Sequence, residues 1–170
     1  MFRNNLQRIS CRENPGYLVK AYQEGDEKYW NEICKDAFGH AGIDEDLFDW
    51  TFMRKELLPE RQYYVIHNHQ FIATATAWYG WCNNNIYTAR LHWIAVKKDF
   101  QGEGWGSMLL NTMLFRMRQL GYFSVYLETH LKYEDGILFY LKHGFEPVFR
   151  CYQDFEEWNK FYESRREKIS

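Results

Sequence analysis

This 170-residue chain has few prolines, no closely paired cysteines and no long apolar runs, and each scarcity narrows what it can be. Three prolines, no low-complexity tract and no internal repeat leave no linker to read, so one domain over residues 1–170 is expected. The four cysteines (Cys11, Cys34, Cys82, Cys151) are scattered without a C-x-x-C pair. That pattern suits neither a disulfide framework nor a zinc site, and reads as free thiols of an intracellular protein that holds no metal. Residues 1–8 carry no apolar core of signal-peptide length, and no run could span a bilayer, so a cytoplasmic protein without a membrane partner is expected. Lysine and arginine total 21 against 23 acids, with no basic block, which argues against nucleic acid.

What the chain does have is concentrated between His92 and Gly106. An apolar run (Trp93, Ile94, Ala95, Val96) reads as a buried strand and breaks into the polar turn Lys97-Lys98-Asp99. A loop follows, Gln101-Gly102-Glu103-Gly104-Trp105-Gly106, then a helical repeat marked by Leu109, Met113, Met117 and Leu120. A glycine loop between a strand and a helix start suits a polyanion. Its unpaired amides lie at the positive end of the helix dipole, and bare backbone allows close approach. The spacing is not G-x-G-x-x-G, because position 107 is Ser, and no G-x-x-x-x-G-K-S/T occurs, so a Rossmann site fits poorly and a P-loop is excluded.

The segment resembles the Q/R-x-x-G-x-G/A signature of the GNAT acyl-CoA N-acyltransferase superfamily, with Gln101, Gly104 and Gly106 at the three signature positions. Downstream, Gly136 to Phe145 is similar to the family's second acyl-CoA motif, a helix carrying a tyrosine before a Gly-Phe pair. The resemblance implies that acetyl-CoA is the acyl donor. It places the cofactor's pyrophosphate on the loop amides of Gln101, Gly102, Glu103, Gly104, Trp105, Gly106 and Ser107. It departs from the family at Tyr133, where asparagine is common, and so puts one side-chain contact to the cofactor arm in doubt.

The remaining pattern predicts a strand near Tyr17–Tyr22, a helix over Asp26–Phe38 and a second over Asp44–Leu57 that stops before Pro59. Strands at Gln62–His67 and Gln70–Trp78 are joined by Asn68-His69, a tight-hairpin signal, and a third spans Tyr87–Lys97. After the loop helix come a strand at Tyr122–Leu127, a helix at Glu134–Lys142 with Ile137, Leu138 and Leu141 on its apolar side, and a strand at Phe145–Arg150. Gly121 and Gly144 are placed to stop the two helices. Phe155, Trp158, Phe161 and Tyr162 mark a last short amphipathic helix over Asp154–Tyr162, which docks or forms a homodimer contact, and the charged tail Glu163–Ser170 is expected to fray. This order implies an α/β fold. Over residues 16–150 it resembles the GNAT architecture, a mixed, mostly antiparallel central sheet flanked by helices.

Acyl transfer from a thioester to an amine needs a base, a hold on the developing oxyanion and an acid for the departing thiolate. The resemblance implies direct attack by the amine, a strand amide in the Ile94, Ala95, Val96 stretch for the oxyanion, and Tyr140 as the acid. A phenol stays protonated at neutral pH and can donate; packing on the helix face is its structural alternative. His92 is the candidate base, similar in position to a histidine of arylalkylamine N-acetyltransferases, and a hydrogen-bonded strand histidine is the other reading. Regular alternation would set His92 on one face with Ile94 and Val96. Glu128 is the rival base.

Aromatic residues make up 19% of the chain, and Trp78-Tyr79-Gly80-Trp81 lies beside the loop signal Cys82-Asn83-Asn84-Asn85. These rings, with Phe38, Trp50 and Phe52, form either an acceptor pocket for a flat or cationic substrate or ordinary packing. The acceptor itself, a small-molecule or peptide amine, is not specified. The same motifs also fit a noncatalytic acyl-CoA-binding or interaction module.

Overall fold

Residues 62–96 carry small, β-branched and aromatic side chains in alternation, and this stretch forms the middle of a sheet. In the computed structural model, which describes residues 1–6, 18–39, 42–44, 46–83 and 86–166, strands β1 (Phe2–Arg3), β2 (Leu18–Ala21), β3 (Gln62–His67), β4 (Gln70–Asn83), β5 (Ile86–Val96) and β6 (Ser124–Tyr126) are ordered β1-β6-β5-β4-β3-β2. The pairs β2–β3, β3–β4 and β4–β5 are antiparallel. The α/β class with a mostly antiparallel sheet is therefore as the sequence implied. Among the described residues five α-helices accompany the strands: α1 (Glu27–Phe38), α2 (Leu47–Thr51), α3 (Trp105–Gln119), α4 (Glu134–Lys142) and α5 (Tyr152–Arg166). Among the described residues no helix is long and apolar enough to cross a membrane. Cys34 is a buried free thiol and Cys151 an exposed one. The chain divides into two compact units, residues 4–125 and residues 1–3 with 126–170.

In the larger unit, β3 and β4 turn through Asn68 and His69, both at positive φ (46° and 63°), the backbone of a type I′ hairpin. One face of the sheet packs under α1 and α2, where Trp30, Ile33, Cys34, Phe48, Phe52 and Tyr64 have no exposed surface. Trp30 meets Phe48, Phe52 and Trp93 edge-on at 5.3, 5.7 and 5.0 Å, and each such burial is worth about 1.5–3 kcal/mol. The alternate residues Val65, Ala73, Ala75, Ala77 and Ala89 point the other way. Their small side chains let α3 lie close with Leu109, Leu110, Met113, Leu114 and Met117 buried. Helix α3 ends as its sequence predicts: Gly121 at φ 87° takes the C′ position, and the Gly121 and Tyr122 amides return to the Arg118 and Met117 carbonyls.

Several local expectations give way. The single helix over Asp44–Leu57 is instead the five-residue α2 and a 3-10 turn at Lys55–Glu60. Phe48 and Phe52 share one stripe, but a continuous helix would rotate Leu58 off it, and Pro59 cannot donate within an α-helix; the break buries Leu58 completely. Strand β4 runs five residues beyond Trp78, its register slipping between Tyr79 and Trp81. Of the expected Cys82–Asn85 loop, Cys82 and Asn83 are strand and the rest lies outside the described residues, as does Tyr17.

In the smaller unit, α4 spans the predicted residues and Gly144 (φ 76°) caps it, with the Gly144 and Phe145 amides bonded to the Leu141 and Tyr140 carbonyls. Ile137 is buried with Trp158 and Phe161 of α5, whereas Leu138 is exposed, so the apolar stripe of α4 is narrower than expected. Strand β6, whose Ser124 and Val125 belong to the larger unit, is three residues long, shorter than the predicted Tyr122–Leu127. The strand expected at Phe145–Arg150 reduces to one bridge, Phe2 with Glu146, because Pro147 has no N–H to continue a ladder. Helix α5 is longer than predicted at both ends. Its last turn is held through Arg165, which bonds Glu134 at 2.7 Å and lies over Phe161, so Glu163 to Arg166 are helical and the remaining tail lies outside the described residues.

Candidate active site

Strand β5 is the first element of the site, and it is irregular. Thr76 pairs with His92 but Thr74 pairs with Ala95, so β5 carries one residue more than β4 across this step. The extra residue is accommodated at Trp93, whose φ of 49° is unusual for a bulky side chain. Two consequences follow. Trp93 and Ile94 leave the β4 ladder, which releases backbone groups in the stretch expected to face the cofactor. His92 shares a face with Ala95 and not with Ile94 and Val96, correcting the regular alternation, because a bulge shifts the side-chain phase by one.

Beyond Val96 a 3-10 turn (Lys98–Phe100) leads into the glycine loop. Gln101 Nε2 donates to the Val96 carbonyl at 2.9 Å, tying the loop to the strand end, so this side chain shapes the loop. The Lys98 amide donates to Asp36 of α1 at 2.6 Å, and Lys97 pairs with Glu32. Gly102 and Gly104 sit at φ 82° and 93°, where a β-carbon is strained, and a Cβ added at either would meet nothing within 4 Å. The loop thus offers bare backbone to its surroundings. Helix α3 starts at Trp105 without a side-chain cap, and its first internal bond runs from the Met108 amide to the Gly104 carbonyl. The amides of Gly106 and Ser107 therefore have no intrahelical acceptor. A pyrophosphate fits this donor set. Glu103 is the discordant member, an exposed carboxylate in this loop whose Oε2 accepts the Trp105 indole N–H at 2.9 Å.

His92 lies half-buried on the α1/α2 face, its ring 5.9 Å from Phe52 and 6.1 Å from Trp93. Burial, and secondarily the Arg90 charge, pull its pKa down to about 3, so the imidazole is neutral at physiological pH. Trp78 joins the same layer, edge-on to Phe52 at 5.4 Å. Phe38 is 5.8 Å from Trp93. The other aromatics of the strand end do not assemble there. Tyr79 stacks on the guanidinium of Arg61 at 3.7 Å, Trp81 is exposed, and Trp50 joins Asp46, Asp49 and Met53 around an open hollow on α2.

Tyr140 and Glu128 belong to the smaller unit. Tyr140 packs between Phe139 and Phe145 at 5.4 and 5.7 Å, and burial pushes its phenol up, which keeps it protonated. Glu128 is exposed just after β6, where its charge bears on the amino group of Met1. Tyr133, at the position where the family often has asparagine, is the N-cap residue of α4 and its ring carries the Lys132 ammonium at 4.9 Å. Sequence reasoning missed Gln62 and Thr76, both fully buried on the His92 face with an oxygen that has no partner. The alternation Ala73-Thr74-Ala75-Thr76-Ala77 was the available signal, since it puts hydroxyls on a face otherwise aromatic.

Comparison with known proteins agrees with this fold. Among solved structures, a GCN5-related N-acetyltransferase from Sphaerobacter thermophilus is similar at TM-score 0.60 and 16% identity, over 74% of this chain and 40% of its own. This chain thus spans less than half of that relative. AAC(6')-Iy, solved with the bisubstrate analogue CoA-S-monomethyl-acetylneamine, is similar at TM-score 0.62 and 16% identity, over 79% of this chain and 94% of its own. An acetyltransferase of the GNAT family from Staphylococcus aureus is similar at TM-score 0.65 and 20% identity, over 79% and 87%. At such identities the likeness is one of fold. No curated protein matches the sequence significantly. A family model described as an acetyltransferase (GNAT) domain, however, matches residues 59–147, just over half of the chain. The chain belongs to the GNAT acetyltransferase family.

Proposed function

We propose that this protein is an acetyl-CoA-dependent N-acetyltransferase in which a primary amine attacks the donor directly in a ternary complex. The observation that carries this reading is the bulged β5 running into a bare glycine loop and an uncapped helix start. Acetyl-CoA supplies a thioester whose acetyl carbon is the electrophile. The amides of Gln101 to Ser107 hold the pyrophosphate, with Gly102 and Gly104 permitting close approach and Gln101 fixing the loop. The backbone of Ile94, Ala95 and Val96 pairs with the cofactor arm, and an amide there takes the negative charge that grows on the carbonyl oxygen. Tyr140 donates its phenolic proton to the departing sulfur.

The amine must shed a proton. A ring with pKa about 3 cannot strip a free ammonium, but the nitrogen becomes far more acidic as it bonds to carbon. His92 therefore accepts a hydrogen bond from the neutral amine, aligns its lone pair, and receives or relays the proton late in the reaction. Glu128 is the alternative base.

The test is thiol release from acetyl-CoA against a panel of amines, aryl-alkylamines and polyamines included, with Tyr140→Phe in parallel. The wild type is expected to turn over at least one amine. Tyr140→Phe should lower kcat by about 10²-fold with little change in KM for acetyl-CoA. Equal turnover would remove the acid role. Saturable CoA binding with silence across the panel would make the protein a noncatalytic acyl-CoA-binding module.

A further inference from the structure

The α1/α2 face contains a polar row that the acyl-transfer chemistry does not use. Gln62, Thr76 and His92 are successive cross-strand partners on β3, β4 and β5, so their side chains stand side by side on this face. Gln62 and Thr76 have no exposed surface, yet Gln62 Oε1 and Thr76 Oγ1 have no hydrogen-bond partner. In the same layer the indole N–H of Trp30, also fully buried, is unpaired. Buried polar atoms are nearly always satisfied, so three orphans in one layer beside a candidate catalytic histidine call for a ligand.

The hydrogen bonds around Gln62 define what that ligand must offer. The Tyr64 hydroxyl donates to the Asp26 carbonyl at 3.2 Å and so accepts from Gln62 Nε2 at 3.0 Å. The amide is thereby oriented, leaving Oε1 as an acceptor in need of a donor. Trp30 Nε1 needs an acceptor, and Thr76 Oγ1 can serve either way. A hydroxyl can donate to Oε1 and accept from Oγ1 of Thr76, the cross-strand neighbour of Gln62. A second ammonium can only donate, and would carry an unpaired charge into an aromatic layer at a cost of several kcal/mol. Phe52 reaches both Trp78 and His92, the neighbours of Thr76 on this face, and so covers Thr76. It lies where α2 ends, free of a continuing helix.

We propose that the acceptor is a hydroxylated amine, its nitrogen at His92 and its hydroxyl bound by Gln62 and Thr76. Cross-strand neighbours are about 5 Å apart, which places the hydroxyl some four bonds from the nitrogen. Gln62 and Thr76 are then the residues that determine acceptor specificity. This proposal rests on the acetyltransferase reading above.

The experiment compares 3-amino-1-propanol with n-butylamine, which differ only in a hydroxyl for a methyl, by kcat/KM in the wild type, Thr76→Val, Gln62→Leu and Thr76→Ser. The wild type should favour the amino alcohol by 10-fold or more. Thr76→Val and Gln62→Leu should bring the ratio close to one, and Thr76→Ser should keep the preference. A wild-type ratio near one, or an unchanged ratio in Thr76→Val, overturns the proposal. Should no amine be turned over, the acetyltransferase reading falls and binding decides this one. A calorimetric titration of 3-amino-1-propanol that weakens at least 10-fold in Thr76→Val upholds it, and equal or absent binding overturns it.

Discussion

His92 shows how one residue's surroundings set both its chemistry and its contribution to stability. In the unfolded chain its pKa is near the ordinary ~6.5; in the folded protein burial lowers it to about 3. Between those values the unfolded state binds a proton that the native state refuses. Stability is therefore full above about pH 6.5 and is lost as pH falls toward 3. A full shift of this size would be worth about 1.36 kcal/mol per unit, but the half-buried ring retains some solvent screening, and roughly 1–2 kcal/mol is the expected effect. Urea unfolding at pH 7 and pH 4.5 should show that much more acid sensitivity in the wild type than in His92→Gln. Equal pH dependence would mean that the ring takes up its proton freely in the folded state. The same depression has a kinetic corollary, since a limb of the pH–rate profile near pH 6–7 then belongs to another group.

At the scale of elements, the glycine loop and α3 form the proposed pyrophosphate site, in which one residue works against the rest. Glu103 places a carboxylate among amides that would hold phosphates, and its bond to the Trp105 indole fixes it there. In an exposed loop the repulsion is modest, of order 1 kcal/mol or less. Glu103→Gln keeps an acceptor for the indole and should lower KM for acetyl-CoA roughly two- to five-fold, with the gain shrinking as salt is raised. An unchanged KM would mean that the indole holds the carboxylate away from the phosphates. This loop was legible from sequence, as were the Asn68-His69 hairpin and the stops at Gly121 and Gly144, because each depends on short-range backbone preferences. The bulge at Trp93 was not, since tryptophan has no leaning toward positive φ and only the β4 register forces it. The break after α2 was half legible: Pro59 announced an end, but the need to bury Leu58 moved it forward. The polar row of Gln62 and Thr76 was hidden for a related reason, because threonine and glutamine in a strand read as ordinary solvent-facing residues until the helices covering them are known.

At the scale of the whole molecule, the first three residues belong with the last forty-five, which no local pattern could have indicated. The Phe2 amide donates to the Glu146 carbonyl and the Glu146 amide to Phe2, both at 2.8 Å, while the Leu127 amide donates to the Met1 carbonyl at 2.9 Å. Arg3 reaches the His143 carbonyl at the C-terminal end of α4, and a Cβ at Gly144 would lie 3.7 Å from its guanidinium. These bonds close a loop over most of the chain, and that closure stabilises the turn that ends the helix carrying Tyr140. Ile137, Trp158 and Phe161 supply the apolar part of the same unit. Phe2→Pro compared with Phe2→Ala isolates the backbone share, since both remove the ring and only the first deletes the donor to Glu146. The loss should be about 1–2 kcal/mol, or roughly 2–4 °C in Tm per kcal/mol for a chain of this size. Amide exchange should accelerate at Glu146 and Leu127 before it does so at Ile137. If exchange at those two amides is unchanged, the two-residue strand contributes nothing and α5 alone holds α4 in place; if Tyr140-dependent turnover falls along with protection, the start of the chain helps to position the proposed acid.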